Sequence, residues 1–125
     1  MTGRLVLLVL LTFASSAHAQ LTAPVAEAAD GATLFRRQCA TCHSLVAGEV
    51  RQGPNLAGVY GRQAGTLPGY AYSSGFKQAD WVWDDTHLDA YLTNPQAVIK
   101  GGIMGYRQAH ADVRQTIIDY LKKQH

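Results

Sequence analysis

The sequence predicts a small, single-domain, all-α protein, and three observations support this fold class. Apolar residues recur at helical spacing in three segments, at about residues 31–39, 85–93 and 110–123. The connections between these segments are rich in glycine and proline, which prevents long regular structure. No segment shows the alternation of apolar and polar residues that is typical of a strand.

The first helix is expected to begin after Asp30, whose carboxylate suits an N-cap. Leu34 and Phe35 then lie on its apolar face, and Arg36 and Arg37 lie on the opposite face. Because proline cannot continue a helix, Pro95 ends the second helix, and residues 96–100 add at most one more turn. The side chains expected to be buried in the later helices are Leu88, Tyr91, Leu92, Val113, Ile117, Tyr120 and Leu121.

The N-terminal part of the chain has the pattern of a secretory signal peptide. A short basic start is followed by an apolar run over residues 5–14 and by the cleavage pattern Ala17-His18-Ala19. The apolar run is too short for a membrane span, which disfavours an uncleaved anchor. We therefore expect a signal peptide at residues 1–19, a flexible leader at 20–29, a domain at 30–125, and export to the bacterial periplasm.

The small net charge of the chain disfavours two classes of partner. Its net charge is +2, and the leader removes Arg4 without removing any acidic residue. So small a charge does not favour binding to nucleic acid or to an anionic membrane surface.

The sequence shows no evident nucleophile or acid–base constellation, since Asp84 and Asp85 suit a helix start better than a catalytic pair. We therefore expect a protein that is not an enzyme.

The residues Cys39-Ala40-Thr41-Cys42-His43 form the C-x-x-C-H pattern of a c-type haem attachment site. Two thiols at this spacing can each add to one vinyl group of the same haem, and the imidazole that follows can bind its iron. A thioredoxin-type disulfide would need a preceding buried strand, whereas the residues before Cys39 look helical. A structural zinc site would need a second pair of ligands, and the chain has only two cysteines.

Met104 is the preferred candidate for the second axial position on the iron. It is the only methionine after the leader, and Gly101, Gly102 and Gly105 around it allow the backbone to approach a porphyrin face. A thioether ligand raises the reduction potential relative to a nitrogen ligand. The rival ligands occupy positions that suit solvated side chains, and they are His87, His110 and His125.

These motifs make the chain resemble a class I cytochrome c of the mitochondrial and bacterial cytochrome c2-like kind, from residue 31 to residue 121. Gly31-x-x-x-Phe35 resembles the family's N-terminal helix, which crosses its C-terminal helix. The segment around Gly53-Pro54 resembles the one that follows the haem motif, and Ile99-x-Gly101-x-x-Met104 resembles the methionine-ligand loop. The resemblance implies one covalent haem c wrapped by loops, and an electron-carrying function.

The resemblance also implies roles for individual side chains. The carbonyl of Pro54 would orient the imidazole of His43. Arg62, Tyr72 and Trp83 would surround a buried haem propionate, and the hydroxyl of Tyr91 would approach the methionine sulfur. Cys39 and Cys42 would carry the thioether bonds, and His43 and Met104 would bind the iron.

The chain departs from the family pattern near the methionine. Lys100 stands where proline is usual, and Gly102-Ile103 replaces Thr-Lys, so the sequence predicts a more mobile loop. Phe76 occupies a position near the haem that is often polar in the family, and its aromatic ring would exclude water from the haem pocket. The positions of lysines that surround the haem edge in mitochondrial relatives are occupied by Gln38, Gln96, Ala97 and Ile103. Charge steering towards an acidic partner is therefore less expected.

The sequence favours a soluble exported carrier of single electrons between redox proteins, present as a monomer. One alternative is an obligate haem subunit of a periplasmic dehydrogenase, with an apolar haem rim built from Val59, Leu67 and Ile103. Another is a haem peroxidase or gas-binding protein, which would require Met104 to dissociate readily. A metal-free thiol oxidoreductase is the weakest alternative.

Overall fold

The computed structural model describes residues 28–125, which form an all-α domain. The predicted signal peptide, and the leader as far as residue 27, lie outside the described residues. The helices, in chain order, are α1 (Gly31–Gln38), a 3₁₀ helix (Ser74–Gln78), α2 (Asp85–Thr93), α3 (Pro95–Val98) and α4 (Ala111–Leu121). Over residues 28–125 no strand forms, and the one extended pairing is an isolated bridge between Gln63 and Val82.

Two of the helices begin at an aspartate that caps their first turn. Asp30 Oδ1 accepts a hydrogen bond from the backbone N–H of Thr33 at 2.7 Å. Asp84 Oδ1 likewise accepts from the N–H of His87 at 2.8 Å. These carboxylates satisfy donors that a helix terminus otherwise leaves without a partner. The described helices are too short and too polar to cross a bilayer.

Helix α1 crosses α4 at Gly31, where the absence of a side chain permits close approach. A Cβ atom on Gly31 would collide with Cβ of Tyr120 and would lie 2.9 Å from the carbonyl oxygen of Thr116. One turn later, the ring of Phe35 packs against that of Tyr120, with centroids 5.9 Å apart. The crossing of the N- and C-terminal helices, predicted from the sequence, is therefore confirmed.

The buried face of α4 differs from the predicted one. Ile117 and Ile118 are both fully buried, whereas Val113 and Tyr120 are only partly buried. Arg114 is also buried, because its guanidinium donates to Asp89 Oδ1 at 2.7 Å and to two backbone carbonyls. A fixed helical period identified Ile117, but only packing against α1 and α2 decided which neighbouring positions face inward.

Replacing Ile118 by alanine is expected to destabilise the holoprotein by about 2–5 kcal/mol, the usual cost of truncating a fully buried side chain. The matched variant Val113→Ala removes a partly exposed side chain from the same helix and should cost only about 1 kcal/mol. Urea unfolding of the two variants, followed by circular dichroism, measures the difference. An equal cost at the two positions would mean that α4 is rotated relative to this structure.

The 3₁₀ helix at Ser74–Gln78 was not predicted, because its glycine and its polar ends resemble those of a loop. Gly75 lets this segment approach the backbone of Lys100, since a Cβ there would collide with the Lys100 carbonyl oxygen. Phe76, inside the same turn, is thereby placed against the core. The turn thus positions one wall of the cavity described next.

Candidate cofactor site

A cavity of about 400 Å³ lies between the helices and the glycine-rich loops. This volume falls in the range of about 300–1,000 Å³ that is usual for cofactor pockets. The structure brings every site residue proposed from the sequence to its wall. These residues are Cys39, Cys42, His43, Pro54, Arg62, Tyr72, Trp83, Tyr91 and Met104.

The two thiols lie where α1 ends, at the edge of this cavity. Cys39 and Cys42 are half-buried and are not joined by a disulfide. Burial, with a smaller contribution from Cys42, raises the pKa of the Cys39 thiol to about 11. Within residues 28–125, no cluster of three or more His, Cys, Asp or Glu side chains could hold a metal ion. Cys39 therefore lacks the surroundings of a reactive thiolate, and the described residues around the pair do not form a zinc site.

The imidazole of His43 is oriented by a backbone carbonyl. Its Nδ1 lies 2.7 Å from the carbonyl oxygen of Pro54. Because a carbonyl can only accept, Nδ1 carries the proton and Nε2 keeps a free lone pair. Burial lowers the pKa of His43, and the Pro54 contact opposes this shift. The ring is thus a neutral base that can bind a metal through Nε2.

Gly53 contacts the face of the same imidazole. A Cβ atom at this position would collide with His43 Cε1 and would lie only 2.7 Å from Nδ1. Gly53→Ala should therefore displace the ring and reduce the yield of haem-loaded protein by about tenfold or more, the scale of lost outer-shell support. The ratio of haem absorbance to polypeptide measures this yield.

Gly58→Ala is the matched control. It places a side chain at a φ of +61° in open space, so we expect lower stability but normal haem loading. If Gly53→Ala loads haem as well as Gly58→Ala does, the close contact of Gly53 with the imidazole does not constrain His43.

Met104 reaches the cavity from the loop between α3 and α4. The rival histidines do not line it. His87 stacks on Trp81, with ring centroids 4.4 Å apart, and its Nδ1 lies 2.8 Å from Asp84 Oδ1. His110 and His125 are exposed. Of the described side chains with a nitrogen or thioether donor suited to haem iron, His43 and Met104 are the two that the cavity brings together.

Two polar groups in the cavity wall have no partner among the described residues. The guanidinium of Arg62 donates to the carbonyl oxygens of Asn55, at 3.0 Å, and Ala57, at 3.3 Å, but its buried Nε has no acceptor. The hydroxyl of Ser73 is also buried and unpaired. Buried donors require acceptors, and a haem propionate would supply them. These residues therefore fit the cofactor.

Ser73 did not emerge from the sequence, whereas Arg62 and Tyr72 did. Tyr72 lies beside it on the cavity wall, and its hydroxyl accepts a hydrogen bond from the N–H of Leu67 at 3.4 Å. The feature of the sequence that could have indicated Ser73 is its position directly after Tyr72. One of two adjacent serines before a glycine is too common a pattern to be singled out without the fold.

Aromatic side chains form the inner wall. The ring of Tyr91 lies 5.0 Å from that of Trp83 and 6.2 Å from that of Phe76. Burial raises the pKa of Tyr91 to about 12, so its hydroxyl stays neutral over the whole physiological range. The rings of Phe76, Trp83 and Tyr91 therefore offer an apolar surface on which the Tyr91 hydroxyl is neutral, and such a surface suits the apolar face of a porphyrin.

The fold and the site together define a small, all-helical domain in which a Cys-x-x-Cys-His segment lies on the wall of a cavity that fits one haem. The family model for cytochrome c matches residues 28–124. The chain belongs to the cytochrome c family. It is therefore an electron carrier with one covalently attached haem c, and not an enzyme.

Curated relatives agree along nearly their whole length. Cytochrome c of Theileria annulata is 43% identical over 102 residues, which cover 80% of this chain and 88% of the relative. Cytochrome c of Euglena viridis is 42% identical, covering 77% and 95% of the two chains. Cytochrome c2 iso-2 of Magnetospirillum molischianum is 41% identical, covering 78% and 97%.

Proposed function

We propose that the mature protein is a soluble, exported cytochrome c that carries single electrons between redox proteins as a diffusing monomer. The observation that carries this proposal is the common cavity, in which two thiols, one imidazole and one thioether meet beside buried donors without acceptors. A haem subunit of a dehydrogenase would use the same groups, whereas a thiol oxidoreductase would use only the two thiols and a gas-binding protein would need the thioether to leave the iron.

Within this proposal, Cys39 and Cys42 form the thioether bonds, and His43 and Met104 are the axial ligands. Pro54 orients the imidazole of His43. The remaining assignments concern the cavity wall, where Arg62, Tyr72 and Trp83 surround a propionate and Tyr91 lies near the methionine sulfur. Support comes from the 2.7 Å contact between His43 and Pro54 and from the position of all these residues on one cavity.

The bound haem would supply an iron that gains and loses one electron. The chain keeps its own rearrangement small by holding each ligand from a separate, supported segment. Pro54 keeps the proton of His43 on Nδ1, and the aromatic wall of Trp83 and Tyr91 excludes water. A site with two fixed ligands and a dry interior changes little in shape when its charge changes, which favours rapid electron transfer.

The bacterial periplasm is the proposed location. The leader pattern of residues 1–19 supports export, and a bacterial cytochrome c2 is among the relatives. Eukaryotic cytochromes c are also among them. Sequencing the N-terminus of the mature protein tests the proposed removal of residues 1–19, and cell fractionation tests the location.

The proposed electron transfer is tested by a redox titration of the purified protein, followed by its absorbance spectrum. We expect one reversible one-electron step, with low-spin spectra at both ends of the titration. A high-spin reduced form that binds carbon monoxide rapidly would instead support the gas-binding or peroxidase alternative, in which Met104 leaves the iron.

One observation bears on the dehydrogenase-subunit alternative. Ile103, beside Met104 on the cavity wall, is 76% exposed. The other two residues predicted for an apolar haem rim do not extend it. Val59 is buried, and Leu67 does not line the cavity. Gel filtration of the native protein distinguishes the two functions, since a subunit would elute with its enzyme and a carrier would elute alone.

A further inference from the structure

We propose that Gln96 and a cluster of three side chains, Gln38, Tyr106 and Gln108, are positioning residues that hold the Met104 segment against the cavity. We call the cluster the amide clasp. The proposal rests on the proposed function, in which Met104 binds the iron. It concerns the hydrogen bonds by which this chain brings that sulfur to the cavity.

The Met104 segment has almost no backbone support of its own. From residue 103 to residue 107, no backbone–backbone hydrogen bond joins it to any other described residue. Its flanking bonds run from the N–H of Gly102 to the Ile99 carbonyl and from the N–H of Gln108 to the Leu92 carbonyl. Three glycines at positions 101, 102 and 105 further increase its conformational freedom. Its position must therefore depend on side chains.

Gln96 in α3 supplies the first of these supports. Its Nε2 donates to the Gly102 carbonyl oxygen at 2.6 Å and to the Met104 carbonyl oxygen at 3.0 Å. One amide group thus fixes two carbonyls, including that of Met104 itself. Because α3 begins at the buried Pro95, the donor is attached to a rigid element.

The amide clasp holds the other side of Met104. The hydroxyl of Tyr106 donates to Gln38 Oε1, and Gln108 Nε2 donates to the same oxygen at 3.2 Å and to Tyr106 Oη at 3.3 Å. Gln38 is the last residue of α1 and directly precedes Cys39. The clasp therefore links the Met104 segment to the helix that carries the cysteines.

Gln108 is itself fixed by two helices. Its N–H donates to the Leu92 carbonyl at 2.8 Å, and its own carbonyl accepts from Arg114 Nη1 at 3.0 Å. The buried guanidinium of Arg114 is held in turn by Asp89 in α2. Because α1, α2, α3 and α4 all contribute, residues 102–106 are tied to the domain by polar contacts on both sides of Met104.

Competition by added imidazole measures how often Met104 leaves the ferric iron. Imidazole binds only the open state, in which Met104 has left, so its apparent affinity scales with the population of that state. Gln96→Glu is nearly isosteric but has no donor, so both carbonyl contacts are lost. We expect its apparent imidazole affinity to rise about tenfold, the scale of one or two lost hydrogen bonds. Tyr106→Phe, which removes only a hydroxyl, should raise it by about three- to tenfold.

Gln63→Glu is the matched control. It adds the same charge and removes one donor, whose 3.2 Å bond goes to the Ala79 carbonyl and not to the Met104 segment. Its imidazole affinity should equal that of the unaltered protein. A purely structural effect of losing one amide would lower the unfolding midpoint in both glutamate variants without changing imidazole affinity in either.

Two negative outcomes are distinguishable. If Gln96→Glu and Tyr106→Phe behave like Gln63→Glu while Met104→Ala binds imidazole far more tightly than the unaltered protein, the positioning role is overturned and the proposed ligand stands. If Met104→Ala also binds imidazole as the unaltered protein does, Met104 is not the ligand, and both the proposed function of this residue and the inference fail. Should Gln96→Glu not mature, Tyr106→Phe alone decides between these outcomes.

Discussion

A chain that carries Cys39→Ser and Cys42→Ser together is expected to leave maturation colourless and largely unfolded. Without thioether bonds, the cavity of 400 Å³ loses the group that fills it. At about 24 cal/mol per Å³ of empty space, the cost reaches up to about 10 kcal/mol. This is comparable with the whole stability of a typical domain, about 5–15 kcal/mol. We therefore expect the haem to act as part of the hydrophobic core.

The measurement combines visible absorbance with far-ultraviolet circular dichroism of the purified variant. Each single serine variant is the control, because one remaining thioether still holds the cofactor. We expect these to be coloured and folded, with a reduced yield. A double variant that lacks haem but keeps the full helical signal and a sharp unfolding transition would show that the helices pack without it.

Replacing Met104 by alanine is the second large change. We expect the reduction potential to fall by the order of 0.1 V or more, within the span of about 0.8 V that axial ligands set. The thioether favours the softer ferrous iron, so its loss favours the ferric state. A small molecule from solution should also be able to bind the iron at the axial position that Met104 no longer occupies.

Potentiometric titration and the absorbance spectrum of the ferric protein measure this effect. Lys100→Gln is the control, since this exposed side chain lies in the same loop without lining the cavity. Its potential should stay close to that of the unaltered protein. An unchanged ligand-field spectrum in Met104→Ala would assign the sixth ligand to a histidine, although the described histidines other than His43 lie away from the cavity.

The loop around Met104 shows where a prediction from sequence needed the fold. Lys100 and the glycines that follow it predicted a mobile segment. The structure adds the Gln96 amide, whose two hydrogen bonds fix the carbonyls of Gly102 and Met104. In the sequence, Gln96 stands out only because it is uncharged at a position where mitochondrial relatives carry lysine. Its donor role depends on the direction in which α3 presents it, and that direction is set by packing.

The helix starts could be predicted because their causes are local. Asp30 and Asp84 each accept a hydrogen bond from the backbone N–H three residues ahead, and this geometry involves only neighbours in sequence. Arg114 could not be predicted as a buried residue, because its burial depends on Asp89 in another helix. A charged side chain on α4 looks solvated until the partner that neutralises it is known.

The sequence by itself determined the cofactor and its covalent attachment. The spacing of Cys39, Cys42 and His43 is a property of five consecutive residues, and thioether chemistry requires no further part of the chain. Only the tertiary structure decided that Met104 shares a cavity with His43 while His87 stacks on Trp81 outside it. The physical reason is that contacts between distant residues are selected by the packing of the described helices against one another, which no local pattern encodes.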